Sequence, residues 1–163
     1  MGEIALSVAA AVLALAHGQR LLVAHGVRLA VPAGWHDVAP TPGGPTDPRT
    51  LLVAGTAGVA PNVTSECQVA AYRVPPSAAV VVIVGWRTAT SGGGRMAPGR
   101  RPLGALRAVS RPSFECYAGR GAAAQVVLGH RAYQVNVLVG DRASRRLIAE
   151  ALAVGRSFDL ARS

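Results

Sequence analysis

The side chains that could do chemistry in this 163-residue chain are few and dispersed. Gly119-Arg120-Gly121-Ala122-Ala123-Ala124 is a literal G-x-G-x-x-A, and Asp141 follows about twenty residues later, the spacing of a ribose-binding acid. A dinucleotide loop must open a helix whose first amides hold the pyrophosphate. Here Gln125-Val126-Val127-Leu128 runs straight to Gly129 and reads as the second arm of a hairpin, so the match carries no nucleotide site. Asp141 is better used as a helix cap. The candidate nucleophiles are Cys67, Cys116, Ser65 and Ser91, with His36 and His130 as candidate bases. Ser91 sits in Thr90-Ser91-Gly92-Gly93-Gly94, but no G-x-S-x-G elbow surrounds it and the segment reads as a flexible loop. His36 adjoins Asp37 next to Trp35 at a strand end, where neighbouring side chains diverge, and His17 and His25 flank an apolar N-terminal run. Glu66, Glu115, Asp37 and Asp47 are scattered over separate elements, so spacing yields neither a metal triad nor a carboxylate pair.

Charge is the one distributed signal. The chain holds 17 basic residues, all arginine, against 8 acids, for a net charge of +9. The absence of lysine from the sequence excludes P-loop nucleotide binding, Schiff-base chemistry and a pyridoxal phosphate site. Arg95, Arg100, Arg101, Arg107 and Arg111 follow one another without an intervening acid. Arg142, Arg145 and Arg146 crowd the first turn of a predicted helix, where the positive end of the dipole disfavours them. If loop and helix start meet, Arg100, Arg101, Arg107, Arg142, Arg145 and Arg146 make a surface for phosphate, a lipid headgroup or an acidic polymer. No aromatic residue interleaves the loop, so stacking of nucleic-acid bases is poorly served. The bland reading is codon bias: arginine with abundant Ala, Gly, Val and Pro is what a high-GC genome writes wherever a cation is tolerated.

Cys67 and Cys116 are the only cysteines, far apart and without a CxxC, which argues against a zinc knuckle. In an oxidising compartment they most simply form one disulfide; in a reducing one both are buried small hydrophobes. The N-terminus bears on that choice. Ile4 to Leu15 is apolar but for one serine and leads into Ala14-Leu15-Ala16, like an export signal with its cleavage site, although Met1-Gly2-Glu3 lacks the usual positive charge. The run is too short to span a bilayer, and the alternative is an Ala-rich helix packed on the domain. The organisation expected is an apolar leader over 1–20 and a single domain over 21–163.

The elements that must position these residues follow from periodicity. Val27 to Val31 alternates and stops at Pro32-Ala33-Gly34-Trp35, a strand and turn; Pro40 to Pro48 reads as a surface loop. Thr50 to Ala54, Cys67 to Val74 and Ala79 to Val84 read as strands, the last a β-branched run covered on both faces. Thr88 to Pro112 is the longest predicted loop. Ser113 to Tyr117, Ala123 to Leu128 and Ala132 to Val139, separated by Gly119-Arg120-Gly121 and Gly129-His130-Arg131, read as a meander of two hairpins. Ala143, Leu147, Ile148, Ala151, Leu152 and Val154 then fall at helical spacing, opened by Asp141 and closed by Gly155, and Ser157 to Leu160 adds an edge strand. The fold class expected is α+β, an antiparallel sheet with a C-terminal amphipathic helix packed on one face.

Several of these pieces together resemble a group of small, uncharacterised exported or membrane-anchored domains of high-GC bacteria. They are Val31-Pro32-Ala33-Gly34-Trp35-His36, Asp47-Pro48-Arg49, Gly129-His130-Arg131-Ala132-Tyr133-Gln134-Val135 leading into Val139-Gly140-Asp141, and Ala151-Leu152-Ala153-Val154 with Ser157-Phe158. The resemblance implies an extracytoplasmic α+β domain with the cysteine pair held together and no known activity, so it transfers no catalytic or binding role. The leading expectation is a non-enzymatic binding or accessory domain at the cell envelope, without a cofactor, whose partner is an envelope protein or an anionic surface. The alternatives are a hydrolase with a dispersed site and an anion- or nucleic-acid-binding domain using the arginines.

Overall fold

The computed structural model describes residues 18–40, 47–65, 67, 71–89, 96–111, 117 and 119–162. The protein is mostly strand, with one α-helix among the described residues. Strand β7 (Ala79–Gly85) is the centre. Its apolar run has no polar side chain to place in water, and every residue is buried. It pairs antiparallel with β4 (Arg49–Gly55) on one side and β10 (Arg131–Val139) on the other. Two-residue β3 (His36–Asp37) lies beyond β4, and β9 (Arg120–Leu128) and β8 (Ala97–Pro98) lie beyond β10, giving the order β3-β4-β7-β10-β9-β8. Only β8 runs parallel to its neighbour.

Two apolar clusters follow from the period-two alternation of β7. Ala79, Val81 and Ile83 enter one, and Val80, Val82 and Val84 enter the other. The first also takes Leu22, Leu29, Phe158, Val135 and Val137, together with Ala151, Leu152 and Val154 of α1 (Arg145–Arg156). The second is smaller, built with Val38, Val59, Ala71, Tyr72 and Leu138 around the short pair β5 (Ala60–Pro61) and β6 (Tyr72–Arg73). A separate sheet, β1-β2-β11, joins β1 (Arg20–Ala24), β2 (Val27–Val31) and β11 (Asp159–Leu160), all antiparallel.

Several sequence expectations hold: the strands at Val27 to Val31, Thr50 to Ala54 and Ala79 to Val84, the 129–130 hairpin and the closing edge strand. Others are corrected. Asp141 does not cap α1. The Ala143 amide bonds the Gly140 carbonyl at 3.0 Å and the Arg142 amide bonds Pro76 at 2.7 Å, so a turn uses these residues before the helix begins. Ser144 is the cap, its Oγ accepting from the Leu147 amide at 3.1 Å. Gly155 does not close the helix either but lies in its last turn. A Cβ there would come within 2.8 Å of Val137 and 3.1 Å of Leu106, so glycine sets how close α1 comes to β10.

Arg120 and Gly121 form no turn; they begin β9, whose ladder with β10 continues to Val139↔Arg120. The strand expected over Cys67 to Val74 is confined to Tyr72–Arg73 among the described residues. The expected loop Thr88 to Pro112 contains β8, a 3-10 helix (Arg101–Ala105) and a bridge between Ser110 and Gly121. Strand β1 has no counterpart in the sequence reading and starts at Arg20, inside the expected leader; His25 and Gly26 make its turn with φ of 49° and 78°. Residues 1–17 of the leader, the centre of the Pro40 to Pro48 loop, Ser91 to Arg95 and Ser113 to Cys116 lie outside the described residues.

Two pairs of substitutions test this account. A Cβ at Gly140 would fall 2.1 Å from the Pro75 carbonyl oxygen, whereas Gly104 has open space, so Gly140→Ala should cost about 2–3 kcal/mol in urea unfolding and Gly104→Ala well under about 1 kcal/mol. Ser144→Ala should cost about 1 kcal/mol, while Asp141→Ala stays within about 0.5 kcal/mol of the parent, the reverse of what an Asp141 cap requires.

Candidate functional site

The basic side chains do not gather as the sequence suggests. The 3-10 helix is started by Arg100 and Arg101, and Leu106 just beyond it meets the C-terminal end of α1, where its carbonyl accepts from Arg156 Nη1. Arg142, Arg145 and Arg146 lie exposed at the other end of α1, about 16 Å along its axis at 1.5 Å per residue. Arg107 is exposed and turns back to its own segment, Nε donating to the Gly104 carbonyl at 2.8 Å. The segment that carries Arg100, Arg101 and Arg107 thus meets α1 through Leu106 at its C-terminal end, the end opposite the helix-start arginines.

Of the three charged groups that meet, Arg28, Arg100 and Asp159, only Arg100 was singled out from sequence. Val27, Leu29 and Val31 of β2 point into the core, so Arg28 and Ala30 take the outer face of the three-stranded sheet. In register beside Arg28 stands Asp159 of β11. Asp159 Oδ2 accepts from Arg28 at 2.9 Å and lies 2.7 Å from Arg100 Nη1, and both ion pairs found among the described residues end on this one carboxylate. Burial alone would push the Asp159 carboxyl up. The Arg28 hydrogen bond, the Leu160 amide and the charges of Arg100 and Arg28 outweigh it and hold the group below its usual range. On β1, Leu22 is buried, which turns Leu21 and Val23 outward on this same face, 56% and 59% exposed. Val23, Arg28 and Asp159 form one row across the sheet, and Leu21 stands beside Ala30 in another.

Among the described residues two concavities lie elsewhere. A groove of about 380 Å³ runs between β2 and α1, lined by Ala30, Pro32, Ala153 and Val154 with Gln19, Glu150, Arg156 and Ser157. Its polar groups already serve the fold: Glu150 accepts from Trp35 Nε1 at 2.6 Å, and Ser157 Oγ accepts from the Ala30 amide at 2.9 Å. A smaller pocket of about 310 Å³ lies at the end of β10, lined by Tyr117, Gly119, Gly140 and Asp141 among others. Burial and then the Asp141 charge push the Tyr117 phenol up against the opposing pull of Arg120, so it stays protonated and donates to the Val139 carbonyl at 3.3 Å. That makes it a hydrogen-bond donor rather than a base.

Among the described residues the candidate nucleophiles and bases lie on separate segments. His25 Nδ1 accepts from Arg49 at 2.8 Å in the first hairpin, His36 is on β3, and His130 is exposed in the β9–β10 turn. Ser65 Oγ accepts from the Cys67 amide at 3.2 Å, and Cys67 is not a free thiol. Ser91 and Cys116 lie outside the described residues. Among the described residues no group of three His, Cys, Asp or Glu side chains could hold a metal ion, and no helix is long and apolar enough to cross a membrane. No family model and no curated protein matches the chain.

The ionised Asp159 is favoured in the fold over the unfolded chain, so its contribution is present above about pH 4 and disappears as pH falls through the lowered folded value. Asp159→Asn should therefore lose roughly 0.5–1 kcal/mol at neutral pH. It should also flatten the acid limb of the stability profile, measured as urea midpoints from neutral pH down to about pH 2.

Proposed function

We propose that this chain is a non-enzymatic binding or accessory domain that works outside the cytoplasm at the cell envelope, and that Cys67 and Cys116 form one disulfide. The observation that carries the reading is that Cys67 is not a free thiol in a chain with a single other cysteine. Such pairs persist where the surroundings are oxidising. The proposed architecture is α+β, with α1 on one face of the six-stranded sheet. It is supported by Ala151, Leu152 and Val154 sharing a cluster with Val81, Ile83, Val135 and Val137. A non-catalytic role is supported by the work the polar side chains already do: Ser144 caps the helix, Ser157 ties α1 to β2, and Glu150 holds Trp35. A second reading, recognition of an anionic surface, is favoured by the two arginines that share Asp159.

Cells making the full chain, blocked with a membrane-permeant thiol reagent before lysis and then fractionated, test the first reading. The expected result is protein outside the cytoplasm with no alkylated cysteine before reduction and both cysteines alkylated after it. Cytoplasmic protein with both thiols alkylated from the start overturns it.

A further inference from the structure

We infer that the outer face of the β1-β2-β11 sheet docks on an anionic lipid bilayer, an inference that rests on the envelope reading and names the surface it uses. Among the described residues, Leu21 and Val23 are two of the three large apolar side chains that stand exposed, the third being Val63 in the β5–β6 connection. They project side by side from one strand because Leu22 between them is buried. Across the same face the row from Val23 passes through Arg28 and Asp159 to Arg100. The face thus grades from apolar at the β1 edge to charged at β11, with two guanidinium groups against one carboxylate.

Charge complementarity decides the occupant. Two arginines share one acid in a chain of net charge +9, so the face favours a negative partner. Each guanidinium carries five N–H donors and spends few on Asp159, which leaves donors for phosphate oxygens. A second copy of the chain would bring like-charged faces together. A soluble polyanion would gain from the arginines but offer nothing to exposed Leu21 and Val23. An anionic bilayer answers both, accepting short aliphatic side chains below the level of phosphates that pair with arginine.

The apolar run Ile4 to Leu15 could carry the chain to lipid by itself, so the test must read this face and not binding alone. The full chain with Val23→Trp is mixed with vesicles of phosphatidylcholine, with or without phosphatidylglycerol, and compared with the parent, whose buried Trp35 and half-buried Trp86 set the background. The expected result is a blue shift on phosphatidylglycerol vesicles, quenching by brominated lipid, and loss of both in high salt. Arg28→Gln and Arg100→Gln should each weaken binding about fivefold, the equivalent of about 1 kcal/mol per arginine at such a surface. Leu21→Ser with Val23→Ser, both on the surface and harmless to folding, should weaken it further.

Cosedimentation without any change in the fluorescence of the introduced indole would overturn the proposal, since the chain would then be held elsewhere. Equal response to neutral and anionic vesicles would also overturn it. So would a concentration-dependent dimer in the ultracentrifuge that the Leu21→Ser and Val23→Ser pair abolishes, because the face would then belong to self-association. An envelope-located, oxidised protein whose introduced indole ignores vesicles removes the docking face and leaves the envelope reading standing.

Discussion

Burial of β7 on both faces is the constraint from which the rest of the structure follows. A strand with no polar residue cannot offer either face to water, so two separate sets of side chains must cover it. Each Val or Ile taken from water contributes on the order of 1.5–3 kcal/mol, and the positions from Ala79 to Val84 alternate strictly between the two clusters. One cluster recruits α1 residues and the inner faces of β1, β2 and β11; the other recruits Val38, Val59 and Tyr72. The flanking strands β4 and β10 then satisfy its backbone. Where β10 passes the limit of the second cluster, its side chains turn polar. Asn136, fully buried, donates to the Val82 carbonyl and accepts from Gln134, which in turn accepts from Gln125 of β9.

Much of this was legible where periodicity is strong. The valine run of β7, the alternation of β2 and the helical stripe from Leu147 to Val154 state their own burial. The misses have a common cause, since each depended on a partner far away in the chain. Asp141 and Ser144 are both good capping types; the choice fell to Ser144 because the Pro75–Pro76 turn takes the Gly140 to Arg142 backbone. Gly119-Arg120-Gly121 looks like a turn until β10 is seen to need partners as far as Val139. Leu21 to Ala24, adjoining the apolar run, reads as its continuation, and only the pairing with β2 makes it a strand.

The arginines show the same limit for the site. Their number and the two sequence groups were visible, yet the meeting of Arg28, Arg100 and Asp159 joins residues up to 131 positions apart. No local pattern encodes that. One signal was available: Arg28 interrupts an otherwise apolar alternating strand, which puts it on the outer face, and Asp159 holds the matching place in the closing strand.

The margins of the six-stranded sheet bear on how the chain behaves in crowded surroundings. Its outermost strands, β3 and β8, are two residues each, and Pro98 has no amide hydrogen to offer. Inside β8, the free side of β9 is occupied near both ends, by Ser110 at Gly121 and by Ala97 to Gly99 at Val126 and Val127. No long flat run of unpaired amides and carbonyls is left there, among the described residues, for a neighbouring molecule to extend. A sheet this rich in valine would otherwise be a template for stacking, and its short, broken borders are what keep its apolar interior from becoming the seed of an aggregate.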